Sequence, residues 1–295
     1  MTISYFRVAL HTMQVKCADG LDSATLLPSF APFACASDDD LLLTMEVEQG
    51  GGADFSSWEE IGQFDCGGAN HGVYQHTDGS YAFEICMPGD LRQVACCLYA
   101  SADFVQCRAT LTEGALRQQQ FGLNNAMMLA YAFAAAAQDT LLIHASVIRH
   151  AGYGYLFTAP SGTGKSTHTH LWYQHIPGCD LMNDDNPVIR IVDGEARIYG
   201  SPWSGKTPCY RNIWAPIGAI TRIEQRPVNE IRRMSPLESF AALLPAVSTM
   251  KWDRRVYSGI CGCLSRLLKT TPVYWLGCRP DEEAALLCHQ TIAVK

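Results

Sequence analysis

The segment Ala159-Pro160-Ser161-Gly162-Thr163-Gly164-Lys165-Ser166 constrains this chain more than any other stretch. It follows the apolar run Tyr153 to Thr158 and leads into an amphipathic stretch, so it reads as a loop between a strand and a helix. Each residue type has a reason. Gly162 and Gly164 let backbone N–H groups turn inward on phosphate oxygens, Lys165 neutralises the β and γ phosphates, and the Ser166 hydroxyl holds Mg²⁺. Ser161, Thr163 and Thr167 complete the stretch expected to line a nucleotide's phosphates. Two glycines, a lysine and a hydroxyl residue at this spacing arise by chance in roughly 1% of chains of this length. Ala159 stands where the usual pattern has its first glycine, so the entry turn is expected to differ.

Downstream, Leu181-Met182-Asn183-Asp184-Asp185-Asn186 sets two adjacent carboxylates after a short hydrophobic step. Paired acids suit phosphoryl transfer, since one can orient Mg²⁺ directly or through water while the other takes a proton from an attacking hydroxyl. Upstream, His144 sits in the apolar run Leu142-Ile143-His144-Ala145-Ser146-Val147, expected as a strand, where a histidine is either a core residue or part of the site. The segment Tyr199 to Pro208, shaped by Gly200, Pro202 and Gly205, offers Lys206, and Arg211 follows it. These two are either ordinary surface cations or a charge clamp on a transferring phosphate.

At 295 residues the chain is long enough for two domains. Apolar residues at 48% and charged residues at 17% make it globular rather than disordered. The net charge of -7 has the wrong sign for a protein that lives on nucleic acid. Thirteen cysteines, odd in number and without a C-x-x-C pair, read as reduced thiols of a cytoplasmic protein. The start, Met1 to Arg7, does not read as a secretory signal, and the apolar stretch Met127 to Ala137 is too short to span a bilayer, so no membrane role is expected.

The first hundred-odd residues read as antiparallel sheet, from the alternation of Leu43, Met45 and Val47 and of Val105, Cys107, Ala109 and Leu111 with polar residues. From Leu116 to Gln138 the pattern turns helical, which places a β-rich domain at 1–115 and a second, mixed α/β domain at 116–295. Within the latter, Asp193-Gly194 between two strand runs predicts a hairpin, Ser235-Pro236-Leu237-Glu238 a capped helix, and Pro280 to Glu283 another helix start. The acidic run Ser37 to Asp40 and the loops of His71 and His76 read as solvated turns.

Residues 140 to 192 resemble the C-terminal catalytic domain of HPr kinase/phosphorylase, which shares its nucleotide-binding core with phosphoenolpyruvate carboxykinases. His144, Ser161 to Ser166 and Asp184-Asp185 match the family's histidine, loop and acidic pair position by position. The resemblance implies a mixed-sheet P-loop kinase domain using ATP and Mg²⁺. It makes Asp184 the general base, supported by His144, and sets Asp185 and Ser166 at the metal. The Glu-Ile-Arg-Gly-Leu-Gly-type segment of that family is absent, which leaves the acceptor as a hydroxyl on another peptide, protein or small molecule. A carboxykinase-like lyase and a non-catalytic nucleotide sensor are the alternative readings, and a homo-oligomer fits either.

Overall fold

The computed structural model describes residues 1–50, 54–65, 70–205 and 207–294. Its contacts divide the chain into Met1–Ala134 and Ala135–Lys295. The fold class is mixed α/β with two mixed sheets.

The first unit carries β1 (Thr2–Val8), β2 (His11–Cys17), α1 (Ser23–Leu26), β3 (Leu41–Gln49), β4 (Glu59–Asp65), β5 (Asn70–Gln75), β6 (Tyr81–Met87), β7 (Asp90–Ala100), β8 (Gln106–Leu111) and α2 (Leu116–Ala134). Among the described residues the strands form one eight-stranded sheet in the order β1-β2-β3-β8-β7-β6-β5-β4. The expected alternation holds in β8, where Cys107, Ala109 and Leu111 are buried between exposed Gln106 and Arg108, but not through β3, where Thr44 is buried with Leu42, Leu43 and Met45 and the alternation begins at exposed Glu46. The sheet is not purely antiparallel, because β3 runs parallel to both β2 and β8. Helix α2 packs on β3, β6, β7 and β8 of this sheet. A boundary at 115/116 would give α2 to the second unit, but burial of Leu123, Met127 and Phe133 belongs to the first, and the chain divides after Ala134.

The second unit carries β9 (Thr140–Leu142), β10 (Ala145–His150), β11 (Tyr153–Thr158), α3 (Lys165–His175), β12 (Asp180–Asp185), β13 (Val188–Val192), β14 (Glu195–Tyr199), β15 (Trp214–Gln225), β16 (Glu230–Arg233), α4 (Pro236–Leu243), α5 (Arg254–Thr270), β17 (Val273–Cys278) and α6 (Glu282–Ile292). Its nine-stranded sheet forks along β15. The start of β15 pairs with β14, which continues to β13 and β9, while its later residues pair with β11 and β17. On the second branch β11 continues to β10 and β12. The apolar run Leu141 to Val147 is therefore two strands on different branches, and His144 lies in the break rather than on a strand. Its N–H donates to the Ala246 carbonyl at 2.7 Å, and the Ile143 N–H to that of Pro187 at 3.2 Å.

Local signals are realised where they were expected. Asp193 and Gly194 have φ of 52° and 81°, the pair of positive values a two-residue hairpin requires. Ser235 and Glu238 cap α4 reciprocally, and Asp281 accepts from the Ala284 N–H to open α6. Helices α3 and α6 share a core with β10, β11, β15 and β17 built on Trp172, Tyr155, Phe157, Ile223, Leu276 and Cys288. No helix of the described residues is long and apolar enough to cross a membrane.

Gly122 of α2 tests how closely helix and sheet approach in the first unit. A Cβ there would lie 2.7 Å from Cys96 Cβ and 3.0 Å from the Ala95 carbonyl. Helix propensity alone favours Gly122→Ala by up to about 1 kcal/mol, whereas overpacking costs about 1–3 kcal/mol. Net destabilisation is expected in urea titration; a higher midpoint would show that α2 is free to move away from β7.

Candidate functional site

The loop 159–164 leaves the end of β11 and delivers the chain into α3. Gly162 and Gly164 have φ of 77° and 114°, values that favour glycine, and a Cβ on Gly162 would meet nothing within 4 Å. Gly164 is the N-cap of α3 and offers no side-chain acceptor, so the helix's first N–H groups keep their demand for one. Ala159 has no positive φ and is 4% exposed in the core, so this position needs no glycine and gains packing instead. Gln225, at the end of β15, donates to the Thr163 carbonyl at 3.1 Å and steadies the loop from the neighbouring strand.

Lys165 is 8% exposed, and its Nζ donates only a long bond, 3.3 Å, to the Ala159 carbonyl. It makes no ion pair with a described residue. Burial pushes its pKa down, the nearby Asp185 and Asp184 pull it back up, and Arg222 pushes it down further. Arg222 lies on β15 opposite Thr158, the last residue of β11. It is a second cation at the loop that sequence reading missed, because the parallel pairing of β11 with β15 is what brings it there.

Ser166 and the acidic pair meet across the fold. Ser166 Oγ donates to Asp184 Oδ1 at 2.8 Å, and His144 Nε2 lies 2.9 Å from Asp185 Oδ1. Sequence resemblance grouped Asp184 with His144 and Asp185 with Ser166; the structure pairs them the other way. The cause is local. Asp184 is still on β12, turned toward α3 and buried, whereas Asp185 ends the strand with φ of 130° and swings its carboxylate toward the break that holds His144. A non-glycine residue held there stores strain. The loop after β14 maintains it, with the Gly205 N–H donating to the Asp184 carbonyl at 2.6 Å and Ser204 Oγ to the same oxygen at 2.9 Å, and the next residue, Asn186, donates from Nδ2 to Asp185 Oδ2 at 2.9 Å.

The remaining expected residues divide. Ser161 and Thr167 are exposed at the loop and the first turn of α3, and Thr163 is half-buried. Arg211 is not aimed at the loop: it pairs with Asp180 at 2.8 Å and donates to the Leu181 carbonyl, joining Arg149, which holds Asp180 at 2.8 and 3.0 Å. It ties its loop to the edge strand β12 and is not a free clamp. Lys206 lies outside the described residues. A cavity of about 450 Å³ adjoins the Ser166–Asp184 pair, bounded by Ser146, Ile148, His170, Tyr173 and Leu181.

No family model matches this chain, and no curated protein matches it. Among solved structures it is similar to the Hpr(Ser) kinase/phosphatase from Coxiella burnetii, with 12% identity and a TM-score of 0.30 over 50% of this chain and 91% of that one. A likeness at that score does not bear on the chemistry, which rests on the residues themselves.

Behind the loop, His168 is 2% exposed and accepts from Trp172 Nε1 at 3.2 Å, and burial lowers its pKa to about 4. The unfolded chain takes that proton near pH 6.5 and the folded chain does not. The associated stability is complete above pH 6.5 and falls as the pH drops toward 4, by on the order of 3 kcal/mol. Urea titrations at these pH values should show the loss in the parent and a shallower one in His168→Gln; equal slopes would show that His168 protonates in place.

Proposed function

We propose that the second unit is a nucleotide-dependent phosphotransferase that moves a phosphoryl group from ATP, or a related nucleoside triphosphate, to a hydroxyl acceptor. One observation carries this reading. Lys165 is a buried ammonium without a carboxylate partner among the described residues, set at the uncapped N-terminus of α3 beside a glycine loop with open space above it. Such a charge is costly unless an anion completes it, and the helix end and loop N–H groups favour the same anion. Arg222 adds to that field.

The residues also fit Mg²⁺. A Mg²⁺ bound with a nucleotide needs only one or two protein oxygens beside phosphate and water, and the Ser166 hydroxyl and Asp184 carboxylate supply them. Among the described residues no three His, Cys, Asp or Glu side chains gather as a metal site, so the rest of the shell would come from phosphate and water. The ion would neutralise charge on the phosphates.

The aspartate roles follow the observed pairings. Asp184 serves the metal with Ser166. Asp185 is the base that accepts the acceptor hydroxyl's proton, and His144 orients its carboxylate and stabilises the charge there.

Isothermal titration with ATP, ADP and GTP, with and without Mg²⁺, tests the first step. Mg²⁺-dependent binding weakened at least about tenfold in Lys165→Ala is expected, since one charge-assisted contact is worth about 1.5–3 kcal/mol. Absence of nucleotide binding by the parent would overturn the reading. Asp185→Asn should bind nucleotide normally and lose about 10²–10⁴ in phosphoryl release to water or a hydroxyl acceptor, while Asp184→Asn should lose the Mg²⁺ dependence of binding. Unchanged turnover in Asp185→Asn would remove it from the base role.

A further inference from the structure

The turn that follows β14 does more than brace the acidic pair. Ser204 forms an isolated backbone bridge with Asp185. Gly205 packs so closely that a Cβ there would lie 3.1 Å from the Asp185 Cβ and 3.5 Å from the Asp184 carbonyl oxygen. Ser204 Oγ lies 2.9 Å from that carbonyl oxygen and 2.6 Å from the carbonyl oxygen of Thr207, so a single hydroxyl ties Thr207 to the end of β12. The turn therefore bears on both acids and carries a threonine with it.

Thr207 also lines the cavity of about 450 Å³ that Ser166 and Asp184 border. Most hydroxyls of this cavity are engaged. Ser166 is bonded to Asp184, Ser146 and Thr169 lie 2.8 Å from each other, and Thr169 reaches the Lys165 carbonyl at 3.0 Å. The hydroxyls of Thr207 and Tyr173 make no hydrogen bond with a described residue, and both residues are exposed. Tyr173 stands on α3 about 12 Å along the helix axis from Lys165. Of these two, only Thr207 combines an unengaged hydroxyl with attachment to the acidic pair.

We propose that Thr207 is a self-modification site, phosphorylated in cis by the second unit. The inference rests on the phosphotransferase reading above and names an acceptor for it. Thr207 Oγ forms the new bond to the γ-phosphorus of ATP, the bond between that phosphorus and the oxygen bridging to the β-phosphate breaks, and ADP leaves with that electron pair. The hydroxyl proton passes to the Asp185 carboxylate, the base of that reading. An acceptor carried by the same chain requires no encounter between molecules, so the step is first order in protein. Thr207 is the residue consumed, since its product is a phosphothreonine that brings negative charge and three acceptor oxygens to the turn.

Incubation of the full chain with γ-labelled ATP and Mg²⁺, without added acceptor, followed by phosphopeptide mapping, tests this. Label is expected on Thr207, with a rate constant independent of protein concentration. Thr207→Ala should lose the label, whereas Thr207→Ser should keep it as phosphoserine in place of phosphothreonine, a change that a merely structural role for the turn would not produce. Thr207 is exposed, so both variants should melt with the parent, which separates lost labelling from lost folding. If the parent binds ATP or releases its phosphate to water but carries no label on Thr207, the proposal is overturned and the phosphotransferase reading stands. Absence of nucleotide binding would overturn both. Label on Tyr173 or elsewhere instead of Thr207, or a rate constant that rises with protein concentration, would also overturn it.

Discussion

The fork in the second sheet is the constraint on which the candidate site depends. Strand β15 pairs first with β14 and then with β17 on the same side, so the strands beside it belong to two branches. Every segment that changes branch must give up ladder pairing for a few residues. Two do so: residues 143–144 between β9 and β10, and 186–187 between β12 and β13. His144 sits in the first and Asp185 beside the second, and the Ser204–Gly205 turn between β14 and β15 reaches the Asp184 carbonyl there, so these polar groups meet one another in place of a ladder.

Electrostatics then decides what this meeting point can hold. Asp184, Asp185 and Arg222 all act on the buried Lys165, yet neither cation has an ion pair with a described carboxylate. The acids are committed elsewhere, Asp184 to the Ser166 hydroxyl and Asp185 to His144 and Asn186. The lysine and the uncapped helix end are left beside the glycine loop without an anion, which is the arrangement the proposed nucleotide site would use. The strained φ of Asp185 is the local cost, on the order of 1–3 kcal/mol, offset by the hydrogen bonds from Ser204 and Gly205 to the preceding carbonyl.

Much of this was legible before any fold was known, because it is local. The loop's conformation follows from Gly162 and Gly164, the hairpin from Asp193-Gly194, and the start of α4 from Ser235 and Glu238. The alternation in β8 identified the first sheet, though not its parallel pairs, since β strands carry no label for their neighbour's direction. The helix Leu116–Ala134 was visible, but which unit it packs on was not.

The sequence by itself determined the glycine loop, its lysine and serine, and the presence of two acids and a histidine, because residue type and spacing fix backbone freedom and available charge. Tertiary structure alone decided how those groups pair. Asp184 and Asp185 are adjacent and chemically alike, and only the end of β12 and the fork beside it turn one toward Ser166 and the other toward His144. It likewise took Arg211 away to Asp180 and brought Arg222 to the loop, since long side chains answer to neighbours that are distant in sequence and set by strand pairing.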